Sequence, residues 1–207
     1  LFYRTFFRKY AQLGNEIITV SHFSKEDISK TYEINPNKIH VVYNGVSEYF
    51  QTISEDKKRI IKQKYSDGKD FFIFIGSLHK RKNIKNLLLS FDEYKKDDGK
   101  SKLIIIGEKK WMDQSVKETY QNMIFKEEVV FLGRIDDSKL ASILASARAL
   151  CFISIFEGFG LPIIEAMKSS VPVITSNKSC MPEIVQDAAI IIDPYNIQEI
   201  KNAMSTI

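Results

Sequence analysis

The sequence is poor in the residues that build disulfide frameworks, metal clusters and membrane spans. It has 2 cysteines and 3 histidines in 207 residues. Cys151 and Cys180 lack metal-ligand spacing and are too few for a disulfide framework, so both read as buried free thiols in a reducing cytosol. His22 and His40 have no clustered partners and read as structural. No apolar run approaches the ~18 residues a membrane-spanning helix needs, and no signal peptide precedes the first strand. No phosphate-binding P-loop is present, because Lys82 is followed by neither Ser nor Thr and has no glycine four or five residues before it. No Ser/His/Asp arrangement has motif support. Asp97-Asp98 and Asp136-Asp137 read more simply as turns or helix caps than as a metal site. The net charge of +4 admits anionic ligands or an acidic membrane surface without demanding nucleic acid. The chain begins at Leu1 rather than Met and reads as a piece of something longer.

What remains is globular: 44% of residues are hydrophobic and 27% charged. Short apolar runs without alternation recur, at Phe71 to Ile75, Leu103 to Ile106, Val129 to Leu132, Ala147 to Ile155, Val171 to Thr175 and Ala189 to Ile192. Helical patterns separate them, at Asn83 to Lys96, Glu118 to Phe125, Ser138 to Ser146 and from Ile197 on. Unalternating strands between amphipathic helices predict an α/β fold, a Rossmann-like doubly wound parallel sheet covered on both faces. Upstream, a strand at Glu16 to Val20 leads to a helix capped by Ser24, with Asp27 completing a capping box. A strand at Lys38 to Tyr43 and a helix at Ser54 to Tyr65 follow. Leu1 to Leu13 is basic and aromatic, with Phe2, Phe6, Tyr10 and Leu13 on one helical stripe. Such a stripe lies either on a membrane surface or against protein, and the second is the commoner use.

In doubly wound sheets ligands bind at the carboxyl ends of the strands. Three strand ends carry chemistry. Gly76 to Asn83 (GSLHKRKN) sets Lys80, Arg81 and Lys82 between a strand and a helix, either a solvated charge run or a diphosphate clamp. Phe131 to Asp136 (FLGRID) sets Gly133 and Arg134 where backbone groups can edge a base pocket. Glu157 to Glu165 (EGFGLPIIE) is the third. Its glycines permit close backbone approach, or simply a tight turn. The helix after Gly160 offers free N–H groups and the positive end of a dipole to an anion. Glu165, read as lying in the first helical turn, is placed either to chelate a ribose diol or merely to complement the dipole.

These stretches, in this order, resemble the retaining glycosyltransferases of family 4. EGFGLPIIEAM resembles their E-x7-E signature, and GSLHKRKNIKNLL their GTLEPRKNL stretch. SCMPEIVQDAAIIIDP resembles SSLPEVxGDAAxxxDP, and VSHFSKEDI and KIHVVYNGV resemble the passage from first to second domain. The resemblance implies one half of a two-domain GT-B fold. Residues 1–45 would be the tail of the acceptor domain, 46–70 a linker and interdomain helix, and 71–207 the nucleotide-sugar domain. By motif position, Glu157 would be catalytic, contacting the donor sugar. Gly76, Arg81, Lys82, Arg134, Gly158, Phe159, Gly160, Leu161 and Glu165 would bind the donor. The implied partners are a nucleotide-sugar and a saccharide or lipid-linked acceptor, with peripheral contact to the inner membrane face from the cytoplasm, and neither metal nor other cofactor. The implied reaction is retaining transfer of a hexose, with mannose favoured, in polysaccharide biosynthesis. A sugar-nucleotide epimerase on the same fold and a non-catalytic nucleotide-binding module are the alternatives. Ser77, Lys80, Ser170 and Gln186 depart from the family pattern without removing a charged site residue.

Overall fold

The computed structural model describes residues 2–97, 99–108 and 112–207, so Leu1 and Asp98 lie outside the described residues. The order is α1 (Phe2–Leu13), β1 (Ile17–Thr19), α2 (His22–Tyr32), β2 (Ile39–Val41), α3 (Glu55–Ser66), β3 (Phe71–Ile75), α4 (Ile84–Lys96) and β4 (Lys102–Ile106). Then come α5 (Gln114–Asn122), β5 (Val129–Gly133), α6 (Asp137–Leu144), β6 (Ala149–Phe152), α7 (Leu161–Lys168), β7 (Val173–Ser176), α8 (Met181–Val185), β8 (Ile190–Ile192) and α9 (Ile197–Thr206). β1 and β2 form a small parallel pair. The other six strands form one parallel sheet in the order β5-β4-β3-β6-β7-β8.

Apolar density on both sides of each strand dictates this layering. Every residue of β3 and of β4 is buried. Phe72 and Phe74 pack with Leu87, Leu88 and Phe91 of α4 on one face. Phe71, Ile73 and Ile75 pack with Leu144 of α6 and with Ile163 and Ala166 of α7 on the other. Each such side chain contributes about 1.5–3 kcal/mol on leaving water.

Counted from β3, the sheet order is that of a dinucleotide-type fold, winding outward to β5 and then restarting beside β3 at β6. The loop after β3 feeds α4 on one face, and the loop after β6 feeds α7 on the other. They diverge, and a crevice opens between them.

Local chemistry moves several boundaries from their sequence-based positions. Ser21, not Ser24, caps α2: its backbone is extended and its hydroxyl accepts the Ser24 N–H at 3.0 Å. α5 begins four residues early because Asp113 caps it, accepting the Val116 N–H at 3.0 Å. α7 begins at Leu161, so Glu165 falls in its second turn rather than its first. Phe2–Leu13 forms the expected helix, α1, joined to the end of α2 by an Arg8–Glu33 ion pair; Phe6, Tyr10 and Leu13 of its stripe are exposed rather than packed, and Leu1 and the Phe2 side chain lie outside the described residues.

Three glycines end three neighbouring strands and are laced sideways. The Gly76 N–H bonds Ile106 O at 2.9 Å, and the Gly107 N–H bonds Gly133 O at 2.9 Å. A Cβ on Gly107 would stand 1.9 Å from the Gly76 carbonyl oxygen. Backbone cannot yield as a flexible side chain can. Gly107→Ala is therefore expected to destabilise the fold by at least about 2 kcal/mol. A fall in the urea midpoint reads this out, and an unchanged midpoint would refute it.

Candidate functional site

The loop after β3 turns once as a 3-10 helix, Lys80–Lys82, and ends on Asn83 with φ 60°. Asparagine tolerates this left-handed conformation. Its buried side-chain amide donates to Pro194 O at 2.6 Å, which ties the turn to the segment after β8. The turn sends Lys82 inward, 7% exposed, with its Nζ 4.7 Å from the Phe152 ring centroid. Arg81 points outward and keeps nearly half its side chain in solvent.

Glu157, 8% exposed, meets both cations from the β6 side. Its Oε1 lies 2.6 Å from Arg81 Nη1 and 2.6 Å from Lys82 Nζ. These are close ion pairs by distance without the angles of hydrogen bonds. The main chain repeats the crossing: the Ile155 N–H donates to Arg81 O at 2.7 Å, and Arg81 Nη1 donates to Phe156 O at 2.9 Å. Beneath, the Glu157 N–H donates to Ser179 Oγ at 3.1 Å and Cys180 Sγ donates to Glu157 O at 3.2 Å. Burial alone raises the Glu157 carboxyl, but Arg81 and Lys82 together hold it below the usual carboxylate range. For Lys82 burial wins, and its ammonium is lowered despite Glu157. Two cations against one carboxylate leave the cluster net positive.

The glycine stretch follows at once. The Gly158 carbonyl is engaged by α2, accepting from Ser21 Oγ at 2.6 Å and Ser24 Oγ at 3.1 Å. Phe159 is buried, its ring 5.9 Å from that of Tyr43. Gly160 has φ 93° and lies over Phe152 and Ile163, leaving little room for a side chain. Leu161 opens α7 half-exposed, and the first N–H groups of a helix have no partner within it.

Glu165 stands apart from the cation cluster. Desolvation by burial, then the charge of Asp137, pushes its carboxyl up from 4.5 to about 7. The dipole of α7 is thus not what governs it. Asp137 opens α6, whose Leu140 lines a cavity of about 270 Å³ at the ends of β3, β4 and β5. Gly76, Gly107, Glu108 and Arg134 line the same cavity, so the structure brings Gly76 and Arg134 together as a pair. A Cβ on Gly76 would touch Lys82 Nζ at 3.5 Å, so the cavity adjoins the cluster.

Three contributors escaped the sequence reading. Glu108 is one and Asn83 another. The third is Glu183, whose carboxylate accepts the His22 N–H at 2.7 Å, the Phe23 N–H at 3.0 Å and the Tyr43 hydroxyl at 2.9 Å. Glu183 thus grips the start of α2 while α2 grips Gly158. Glu183 lies in the SCMPEIVQDAAIIIDP stretch matched to the family pattern, but no site role was read from it.

Fold and site together are those of a Rossmann-like doubly wound unit with an anion-favouring switch point. The family model described as "Glycosyl transferases group 1" matches residues 56–207, and that described as "Glycosyltransferase Family 4" matches residues 1–48. The chain belongs to the group 1 glycosyl transferases. O-antigen chain mannosyltransferase B of Escherichia coli is 31% identical over 186 residues, 89% of this chain and 49% of that relative. O-antigen chain mannosyltransferase RfbU of Salmonella typhimurium is 29% identical over 100% of this chain and 55% of its own length. The chain therefore spans about half the length of the curated relatives it matches. Among solved structures, Anabaena HepE in complex with UDP and glucose has a TM-score of 0.87 at 19% identity, covering 98% of this chain and 57% of that one. That likeness confirms the fold class, one half of a GT-B glycosyltransferase.

The raised Glu165 carboxyl has a defined linkage. The native state binds its proton more tightly than the unfolded chain. Its contribution to stability is therefore full below pH 4.5 and is lost as pH rises through about 7. Relative to wild type, Glu165→Gln is expected to gain stability between about pH 5 and about pH 8. Urea midpoints across that range check it, and a flat difference between the two proteins would rule it out.

Proposed function

We propose that this chain is the donor-binding portion of a hexosyltransferase. It takes a nucleotide-diphosphate sugar and serves transfer of the sugar, with retention, to a saccharide or lipid-linked acceptor during polysaccharide biosynthesis at the cytoplasmic membrane face. The observation that carries this reading is the Arg81–Lys82–Glu157 cluster, with Lys82 and Glu157 buried, set between an open helix start and an adjoining cavity.

Each part of a donor has a matching group. The base enters the cavity edged by Gly76 and Arg134. Glu165, half-buried, accepts the ribose hydroxyls. The diphosphate lies between the two cations and the N–H groups at Gly160 and Leu161. The sugar then falls beside Glu157. When the bond from sugar to phosphate breaks, its electron pair leaves with the diphosphate, and Arg81 and Lys82 stabilise that growing charge. The Glu157 carboxylate opposes the positive charge that develops on the ring. With two cations and a helix start acting on one leaving group, the reading requires no metal. Two of the relatives above are mannosyltransferases by name, which supports a hexose and favours mannose. Among the described residues no helix is long and apolar enough to cross a membrane, and the basic, aromatic α1 is the segment the reading would set against one.

Calorimetric titration with nucleoside diphosphates tests the assignment. Lys82→Ala and Glu165→Ala are each expected to weaken binding on the order of tenfold or more, the loss of a hydrogen bond to a charged group. A chelator should leave wild-type affinity unchanged. Unaltered affinity in both variants would sink the site.

A further inference from the structure

Two cavities outside the cation cluster share a wall. One, of about 180 Å³, lies between the start of α4 and the segment after β8. The other, of about 290 Å³, continues between α4 and α5. Lys85 and Ser115 line both, so they form one groove. Together they reach the size of an ordinary small-ligand site, roughly 300–1,000 Å³. The near end of the groove adjoins the cation cluster. Lys80 and Ile155 line it, Lys80 directly precedes Arg81, and the Ile155 N–H donates to Arg81 O at 2.7 Å.

The near half has an apolar wall of Ile84, Val116 and Ile155 and one aromatic ring, Tyr195, which is 57% exposed. That ring stands on fixed backbone. The Tyr195 N–H donates to Asp193 Oδ1 at 3.0 Å, and the Pro194 carbonyl accepts from the amides of Asn83 at 2.6 Å and Asn86 at 3.0 Å. The far half is polar, with Ser115, Thr119 and Asn122 beside Leu89 and Met123. Charges along the groove are mixed: Lys80 and Lys85 are offset by Asp113 and Glu118. Part of the negative charge is already spent. Asp92 accepts the Ile124 and Phe125 N–H groups, and Asp113 accepts the Ser115 hydroxyl and the Val116 N–H.

An anion meets carboxylates in both halves, and an alkyl chain meets hydroxyls and amides in the far one. A sugar ring suits both halves. It has a C–H face for an aromatic or aliphatic wall, and its hydroxyls both donate and accept hydrogen bonds. Given the transferase reading proposed above, on which this step rests, we infer that the groove is a saccharide subsite that holds the growing glycan beyond the sugar being extended.

Nuclear magnetic resonance titration of the full chain with linear oligosaccharides of mannose, glucose and galactose, in series of increasing length, tests this. In at least one series affinity is expected to rise with length, and the side-chain amide signals of Asn86 and Asn122 should move while that of the Gly160 N–H stays. Tyr195→Ala should weaken binding about tenfold, the loss of an aromatic anchor. Asn122→Ala should remove the gain from added length and leave the shortest sugar little changed. Both side chains are exposed, so neither substitution threatens the core. Nucleoside-diphosphate affinity should be the same in both variants, and saturating nucleoside diphosphate should not displace the glycan. Absence of binding by every series at millimolar concentration, binding indifferent to Tyr195→Ala, or displacement by nucleoside diphosphate overturns the subsite and leaves the donor site standing. Failure of the donor site is read separately, from nucleoside-diphosphate affinity in Lys82→Ala.

Discussion

One carboxylate oxygen shared between two cations holds the working end of this molecule together. Glu157 reaches Arg81 and Lys82 across the point where the chain reverses its winding, reinforcing the Ile155 N–H to Arg81 O bond between the loops on either side. Lys82 lies almost wholly out of water against Phe152, so its charge needs a partner. Removing one member of such a buried pair costs about 3–5 kcal/mol, because the other is left uncompensated. A hydrophobic trio would pack there as well or better. What the ionic version supplies is a net positive spot at a fixed place beside an open helix start, where an arriving anion can replace the carboxylate as partner to the exposed Arg81.

The glycine stretch after Glu157 has little to hold it from within. Its position comes from the small N-terminal unit. Ser21 and Ser24 hold the Gly158 carbonyl, Glu183 holds the N–H groups of His22 and Phe23, and Tyr43 closes the ring onto both Glu183 and Phe159. These contacts are polar and directional, so they set a geometry more than they add stability. The same carboxylate that anchors α2 belongs to the helix after β7, so the start of α2 bridges two successive loops of the sheet's carboxyl end.

The reading of the sheet from sequence succeeded because its evidence is local. Phe71 to Ile75 is apolar at every position, and only a strand covered on both faces needs that. Clearly amphipathic helices such as α4 came through for the same reason. Boundaries failed where a side chain three to five positions upstream took the capping role. Ser21 displaced Ser24, and Asp113 started α5 early. Gly76 and Arg134 were each read at a strand end and the structure sets them on one cavity, whereas Glu108 was missed because a lone glutamate after a glycine carries no pattern. Glu165 was read into the first turn of its helix, whereas it lies in the second and burial, not the dipole, governs its charge.

Sequence by itself determined the alternation of buried strands and helices, the glycines at strand ends and the order of charged stretches along the chain. Those follow from side-chain polarity and backbone freedom, which act over a few residues. Only the tertiary structure decided that Arg81, Lys82 and Glu157 form one cluster, that Glu165 is governed by burial and Asp137 rather than by a helix dipole, and that Glu108 and Arg134 share a wall. Those depend on distances between residues dozens of positions apart and on how much water remains between them, and both are set by the order in which the strands lie side by side.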